Sequence, residues 1–450
     1  MKSYELQPTI ENLCETYKND TIGRNKDLKE FIKLLDSISD CCSIAIDGEW
    51  GSGKTFFVNQ AKLFINSNNN YSMGISKNVK DVFSTDENHE LQLALYYDAW
   101  ENDNDSDPIL SLIYTIVKEV DETFVLEKDD SLLDNAKELI KILISKIAGI
   151  NDEKLEKIFL SEDILSGIRL EKKIEESVKK FLDSLLNERG NRLVIFIDEL
   201  DRCTPSYAVK FLERIKHYFT NDRITFVFSV NITELQHTIK RYYGESFDAC
   251  RYLDRFFDFR ITLPAVDKDR FFNTMDFNID YTIDDVYRRS ISYFDFSMRE
   301  TCKVIRISKM AAYDYTHGKN NLRFGHQFCL MYILPIMISL KLFDTNKYNE
   351  FIKGNYPKPF IEILAPLANL NFHNLFDSNE TMLENENSSK TFVKIESKLE
   401  DVYNAVFNFD NNKNNTYGRK IGSYTFTSDC KNLLLKEVNL LSNNTKVTTI

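Results

Sequence analysis

The sequence predicts an α/β fold: three layers, with a mostly parallel sheet between two layers of helices, followed by a helical region. Three observations carry this. An apolar run, Ile44-Ala45-Ile46-Asp47, feeds a glycine-rich turn that opens a helix at Lys54-Thr55. A second apolar run, Leu193-Val194-Ile195-Phe196-Ile197, ends in Asp198-Glu199 without polar alternation, as a strand covered on both faces requires. From residue 266 onward helical periodicity dominates and no glycine-rich turn recurs.

The first turn carries the chemistry. Gly48-Glu49-Trp50-Gly51-Ser52-Gly53-Lys54-Thr55 satisfies G-x-x-x-x-G-K-[ST] in full. Gly48, Gly51 and Gly53 can take backbone angles that a Cβ forbids. Successive N–H groups can then converge on phosphate oxygens at a helix N-terminus. Lys54 would reach the β- and γ-phosphates, and the Thr55 hydroxyl would ligate Mg²⁺. Phe56, Phe57, Ala61 and Phe64 supply the core-facing stripe of the helix that follows. A chance match would not require both a strand before the turn and a helix after it. At the second run, Asp198 would hold Mg²⁺ through its water shell, and Glu199 would orient and deprotonate an attacking water.

Composition bounds the alternatives. The 450 residues suffice for about three domains. With 43% hydrophobic and 28% charged residues, the chain can bury a substantial core. A net charge of −12 argues against charge-driven nucleic-acid binding by the whole chain, while leaving a local basic groove open. The eight cysteines show no C-x-x-C pairing and no neighbouring His pattern. That argues against zinc and for a reduced, cytoplasmic protein. No apolar leader opens the chain. The longest apolar stretch, residues 328–340, is short for a bilayer and contains Pro335, so a buried helix and no transmembrane segment are expected.

In chain order, residues 1–40 read as a lead-in helix, a turn at residues 19–24, and an amphipathic helix carrying Leu28, Phe31, Ile32, Leu34 and Leu35. The turn is either plain packing or places Ile22 and Gly23 near an adenine, with Arg24 beside them. Asn66-Ser67-Asn68-Asn69-Asn70 reads as a polar loop, and residues 90–97 as a second strand ending at Asp98. Asp98 is either a further acid at the ligand-binding edge of the sheet or a turn acid. Residues 101–190 form a helical insertion with helices at 110–119, 131–147 and 170–186. The last is highly charged, which suits a solvated face or a partner surface. A helix at 206–218 and a strand within 221–231 follow. Asn231 would either hold the lytic water or γ-phosphate, or cap the next helix. Arg255 is an arginine-finger candidate, with a surface salt bridge as the alternative, and a strand follows at 259–264. Further helices are expected at 284–293, 297–313 and 321–343, with Arg299 on a first turn from which it could reach a phosphate if that helix forms a lid. Residues 408–415 and Asn443-Asn444 read as loop and tail. The expected division is a core over 1–265 and a helical lid and C-terminal region over 266–450.

With these residues in hand, the chain resembles the KAP family of P-loop NTPases, in the additional-strand, catalytic-glutamate branch that also holds the AAA+ and STAND proteins. The resemblance rests on Gly48 to Thr55 (Walker A), on Ile195-Phe196-Ile197-Asp198-Glu199-Leu200-Asp201-Arg202-Cys203 (Walker B), on Tyr252-Leu253-Asp254-Arg255-Phe256-Phe257 with its following strand, and on Ser297-Met298-Arg299-Glu300. It spans roughly residues 20–310. It implies ATP binding and hydrolysis, Mg²⁺ dependence, and a switch or assembly role. Many members carry transmembrane helices between the two Walker motifs; this chain has the insertion without the apolar spans, so it is similar to a soluble branch. Relatives often have Lys where Arg255 stands. Prokaryotic relatives often sit in mobile-element or phage-exclusion loci, which implies anti-phage defence as an expectation.

The leading expectation is thus an ATPase acting as a conformational or assembly switch, as a homo-oligomer or with a partner protein. The alternatives are a slow-turnover, nucleotide-gated binding module that recruits a partner through residues 311–450, an ATP-dependent nucleic-acid motor, and a kinase. The acidic balance weighs against the motor. Glu199 beside Asp198 favours water over a substrate hydroxyl as the acceptor.

Overall fold

The structure, a computed structural model, describes residues 7–85, 87, 89–105, 107–124, 134–139, 141–142, 166–218, 221–274, 281–317, 324–367, 388–408 and 418–444. The chain divides into two compact units, Leu6–Val266 and a second built on Asp267–Ile450.

Among its described residues the first unit holds five parallel strands: β1 (Cys42–Asp47), β2 (Gln92–Asp98), β3 (Arg192–Asp198), β4 (Ile224–Val230) and β5 (Phe259–Thr262). Their spatial order is β2-β3-β4-β1-β5, so β4 separates the strand before the glycine-rich turn from the strand that ends in Asp198. Alternation along each strand sorts side chains onto two faces. Ile44, Ile46, Ala94, Val194, Phe196 and Val227 join Phe57, Ala61, Phe64, Phe31 and Leu13 in one core. Ala45, Leu95, Ile195, Ile197, Phe226 and Phe228 join Ile113, Phe181, Phe211 and Leu235 in the other. The sheet is therefore covered on both faces, and the three-layer expectation holds. β3 and β4 are buried at every position, which is why their sequences lack a polar period.

The helices expected in this unit are present as Ile10–Lys18, Asn25–Asp36, Lys54–Ser67, Pro108–Phe124, Ser166–Arg189 and Pro205–Tyr218. The helix expected over 131–147 lies partly outside the described residues; 134–139 and 141–142 are helical. One expectation fails. Asn66-Ser67-Asn68-Asn69-Asn70 is not a solvated loop: Asn66 and Ser67 end a helix, and Asn66 and Asn69 are 1% exposed. The cause is the outer edge of β2, which no strand pairs among the described residues. Asn66 Oδ1 accepts from Ala94 N–H at 2.9 Å, and its Nδ2 donates to the Ala94 carbonyl at 2.8 Å. Asn69 Nδ2 donates to the Gln92 carbonyl at 2.9 Å, and Glu119 accepts from Tyr96 N–H at 2.7 Å. Two side-chain amides and a carboxylate thus take the backbone hydrogen bonds a neighbouring strand would make, and they satisfy groups that burial would otherwise leave without partners.

The second unit packs helices around Tyr332, Met337, Phe351, Phe360, Tyr403 and Phe407. Within the helix expected over 321–343, the described residues are helical from Phe324 to Phe343, a longer apolar helix than the stretch 328–340 alone suggested. By length and composition alone this helix could cross a membrane, and 61% of its apolar window is buried inside the structure. A π-helical turn spans Cys329–Ile333, just before Pro335. Proline has no N–H to offer the carbonyl four residues back, and the widened turn lies across that carbonyl, at Met331. A small hairpin, β6 (Arg419–Ile421) with β7 (Tyr424–Phe426), was not anticipated; three-residue strands are too short to show alternation. Asn443-Asn444 belongs to the last helix, Ser428–Asn444, and is not a tail. Within the expected loop at 408–415 only Asn408 is among the described residues, and it follows the helix Ser388–Phe407.

Candidate nucleotide site

β1 delivers the glycine-rich turn to the C-terminal edge of the sheet, where ligands bind in parallel α/β folds. Gly51 and Gly53 take φ of 80° and 87°, in the left-handed region that a Cβ disfavours. Gly53 immediately precedes the helix Lys54–Ser67, so the turn ends on a helix N-terminus. Lys54 folds back over the turn: its Nζ donates to the Gly48 carbonyl at 2.5 Å and to the Glu49 carbonyl at 3.1 Å. Burial lowers its pKa, while Asp201, Asp198 and Glu199 pull the other way. Thr55 and Phe56 are half-buried on the first helical turn; Glu49 and Trp50 are exposed.

Asp198, 1% exposed, ends β3. Its Oδ2 accepts from the Tyr96 hydroxyl at 3.0 Å, and its Oδ1 from Glu199 N–H at 3.1 Å. Glu199 takes φ 60°, an unusual conformation for a residue with a side chain, and one that strained backbones at functional sites often show. Burial, then the Asp198 charge, pushes its pKa up from 4.5 to about 7. Its carboxylate pairs with the Arg202 guanidinium. Asp98 lies in register with Asp198 on the neighbouring strand. It also caps a turn, accepting from Glu101 N–H at 2.9 Å, and burial raises its pKa.

Sequence reasoning named Trp50 and Arg24 but not their contacts, and it assigned no role to Arg202, Tyr96 or Ser229. Trp50 Nε1 donates to Asp201 Oδ2 at 2.6 Å, tying the turn to the acidic box. Arg24, 3% exposed, donates to the Ser52 carbonyl at 2.7 Å and to the Pro264 carbonyl, so it clamps the turn against the chain just past β5. Arg202 lies over both Trp50 and Trp100. Tyr96 orients Asp198, and burial together with that carboxylate raises its pKa. Ser229, in register with Asp198 on β4, is fully buried with an unpartnered Oγ. Of the three without an assigned role, Ser229 left a visible signal, a hydroxyl inside the apolar run Phe226-Val227-Phe228-Ser229-Val230.

Other expected site residues fall as follows. Asn231 caps the helix Ile232–Tyr243, its Oδ1 accepting from Thr233 and Glu234 N–H at 3.1 and 3.3 Å. The capping alternative is therefore realised, and only its Nδ2 remains for a ligand. Gly23 is half-buried at φ 70°, in the turn that Arg24 fastens to Ser52. Arg255 is exposed beyond the short helix Ala249–Leu253. Arg299 is exposed on the first turn of Met298–His317, in the second unit.

The family model for the KAP family P-loop domain matches residues 24–304. The chain belongs to the KAP family. No curated protein matches it. A solved structure, the Aeropyrum pernix ORC2 protein in ADPNP–ADP complexes, shares 12% identity and covers 84% of this chain and 94% of its own. Its TM-score of 0.32 marks a likeness too distant to inform the site. This KAP chain thus has a nucleotide-binding P-loop domain, and its residues fit a phosphate chain. Ser52 Oγ and Ser229 Oγ are buried hydroxyls without partners at the mouth of the turn and beside Asp198. Unpaired buried hydroxyls cost free energy unless a ligand or water satisfies them.

Proposed function

We propose that this KAP chain binds ATP with Mg²⁺ and hydrolyses it, and that turnover drives a conformational or assembly change. The observation behind this is the pairing across β4: the lysine-bearing turn after β1 faces an acid pair at the end of β3, one member buried and oriented, the other strained. Lys54 and the turn N–H groups would hold the phosphates, and Gly23 would lie near the base. Mg²⁺, held by Thr55 and through water by Asp198, would neutralise phosphate charge. Glu199 would take a proton from the attacking water. Arg255, exposed, suits a finger offered to a neighbouring copy, and Arg299 suits a lid contact. A cytoplasmic, anti-phage or mobile-element setting rests on the family resemblance alone.

One observation favours the slow-turnover alternative: Glu199 is engaged by Arg202, so the base is not free to act. Phosphate release on adding MgATP separates the readings. Steady turnover that Lys54→Ala abolishes supports the ATPase; tight binding with no release, even when candidate partners are added, supports the binding module.

A further inference from the structure

The chain has two tryptophans, and both lie against one arginine. The Arg202 guanidinium carbon is 5.8 Å from the Trp50 ring centre and 5.5 Å from that of Trp100. Both indoles are half-exposed, and Arg202 is largely enclosed, with its side chain 20% exposed. Its Nε is engaged with Glu199. The three supports come from three places. Trp50 is part of the phosphate-binding turn, Trp100 follows β2, and Glu199 follows β3. Trp50 is itself pinned by Asp201. Arg202 therefore stands beside the turn, over Trp50 and paired with Glu199.

We propose that Arg202 reads the terminal phosphate of a nucleoside triphosphate: it leaves Glu199 for that phosphate and so frees Glu199 to act on water. This rests on the nucleotide-site reading above. A guanidinium has five donors, no acceptor and a permanent charge. A terminal phosphate offers it more charge than one carboxylate and a bidentate edge. The two indoles attract the guanidinium through their ring faces, and that attraction persists while it exchanges partners. A diphosphate lacks the competing group and leaves the Glu199 pair closed. Arg202 thereby couples the state of the nucleotide to the competence of the base.

The test compares MgADP with a Mg-bound, β,γ-imido ATP analogue, by calorimetry and tryptophan emission. Trp50 and Trp100 are the only emitters of their kind, so emission reports the surroundings of Arg202. Wild-type protein should bind the analogue at least about tenfold tighter than ADP, with an emission change that ADP does not produce. Arg202→Gln should bring the two affinities within about twofold through loss of analogue binding alone, and abolish the emission difference. Arg202→Lys should keep part of the preference, since it keeps the charge, but lose the emission change, since it loses the plane. An Arg202→Gln variant that folds by circular dichroism and keeps the preference overturns the proposal. So does an emission change shared by both nucleotides. Wild-type protein that binds neither refutes the nucleotide-site reading, and the proposal goes with it.

Discussion

Replacing Arg24 by Met should damage the fold and the site together. Arg24 is 3% exposed and donates from one terminal nitrogen to the Ser52 carbonyl at 2.7 Å and from the other to the Pro264 carbonyl. Charged donors to buried carbonyls are worth roughly 1.5–3 kcal/mol each, so the two contribute about 3–6 kcal/mol gross. Burial of the charge opposes this: the guanidinium pKa falls from 12.5 to about 10, and its Nε has no partner. Methionine fills much of the same space. The expected net loss is about 2–4 kcal/mol, read from urea unfolding as a lower midpoint at unchanged slope. Ser52 lies in the phosphate-binding turn, so ADP affinity should fall about tenfold as well. A loss below about 1 kcal/mol would refute the energetic reasoning. A full stability loss with unchanged ADP affinity would show that the glycines shape the turn without this clamp.

Two further outcomes follow from particular contacts. Asn66→Ala removes two side-chain bonds to Ala94 and leaves a buried N–H and carbonyl at the edge of β2. It should cost about 2–5 kcal/mol in urea unfolding, whereas a solvated loop residue would cost nearly nothing. Glu199 carries a pKa raised to about 7, chiefly by burial, so its protonated form persists towards neutrality. As the base it acts only when deprotonated. The kcat/KM for ATP should therefore rise with pH up to about 7 and level off above it, falling about tenfold per unit well below. A profile flat from pH 5.5 to 8 would remove Glu199 from the role of base.

The parts of this structure visible in the sequence are those set by local pattern. β3 and β4 show as apolar-rich runs without polar alternation because both faces are buried, and the turn from Gly48 to Thr55 shows because its backbone needs glycines at fixed positions. What stayed hidden depends on partners distant in sequence. Asn66 and Asn69 look like any polar loop until the β2 edge lies beside them. Arg24 reads as a turn residue, yet its partner Pro264 is 240 positions away. Arg202 reads as one more charge in an acidic box; its two indoles arrive from the turn after β1 and from the end of β2. Asn231 was legible only as two alternatives, because a cap and a ligand contact call for the same side chain at the same place.

The central claim is that the turn after β1 and the acid pair after β3 divide one reaction between them, holding a nucleotide and activating water. The most direct measurement is the nucleotide retained by Glu199→Gln after incubation with MgATP and rapid desalting, set beside wild type and Lys54→Ala. Intact ATP is expected on Glu199→Gln, ADP or empty protein in wild type, and nothing on Lys54→Ala. ADP on Glu199→Gln in the same amount as wild type would contradict it, because water would then be activated by some other group.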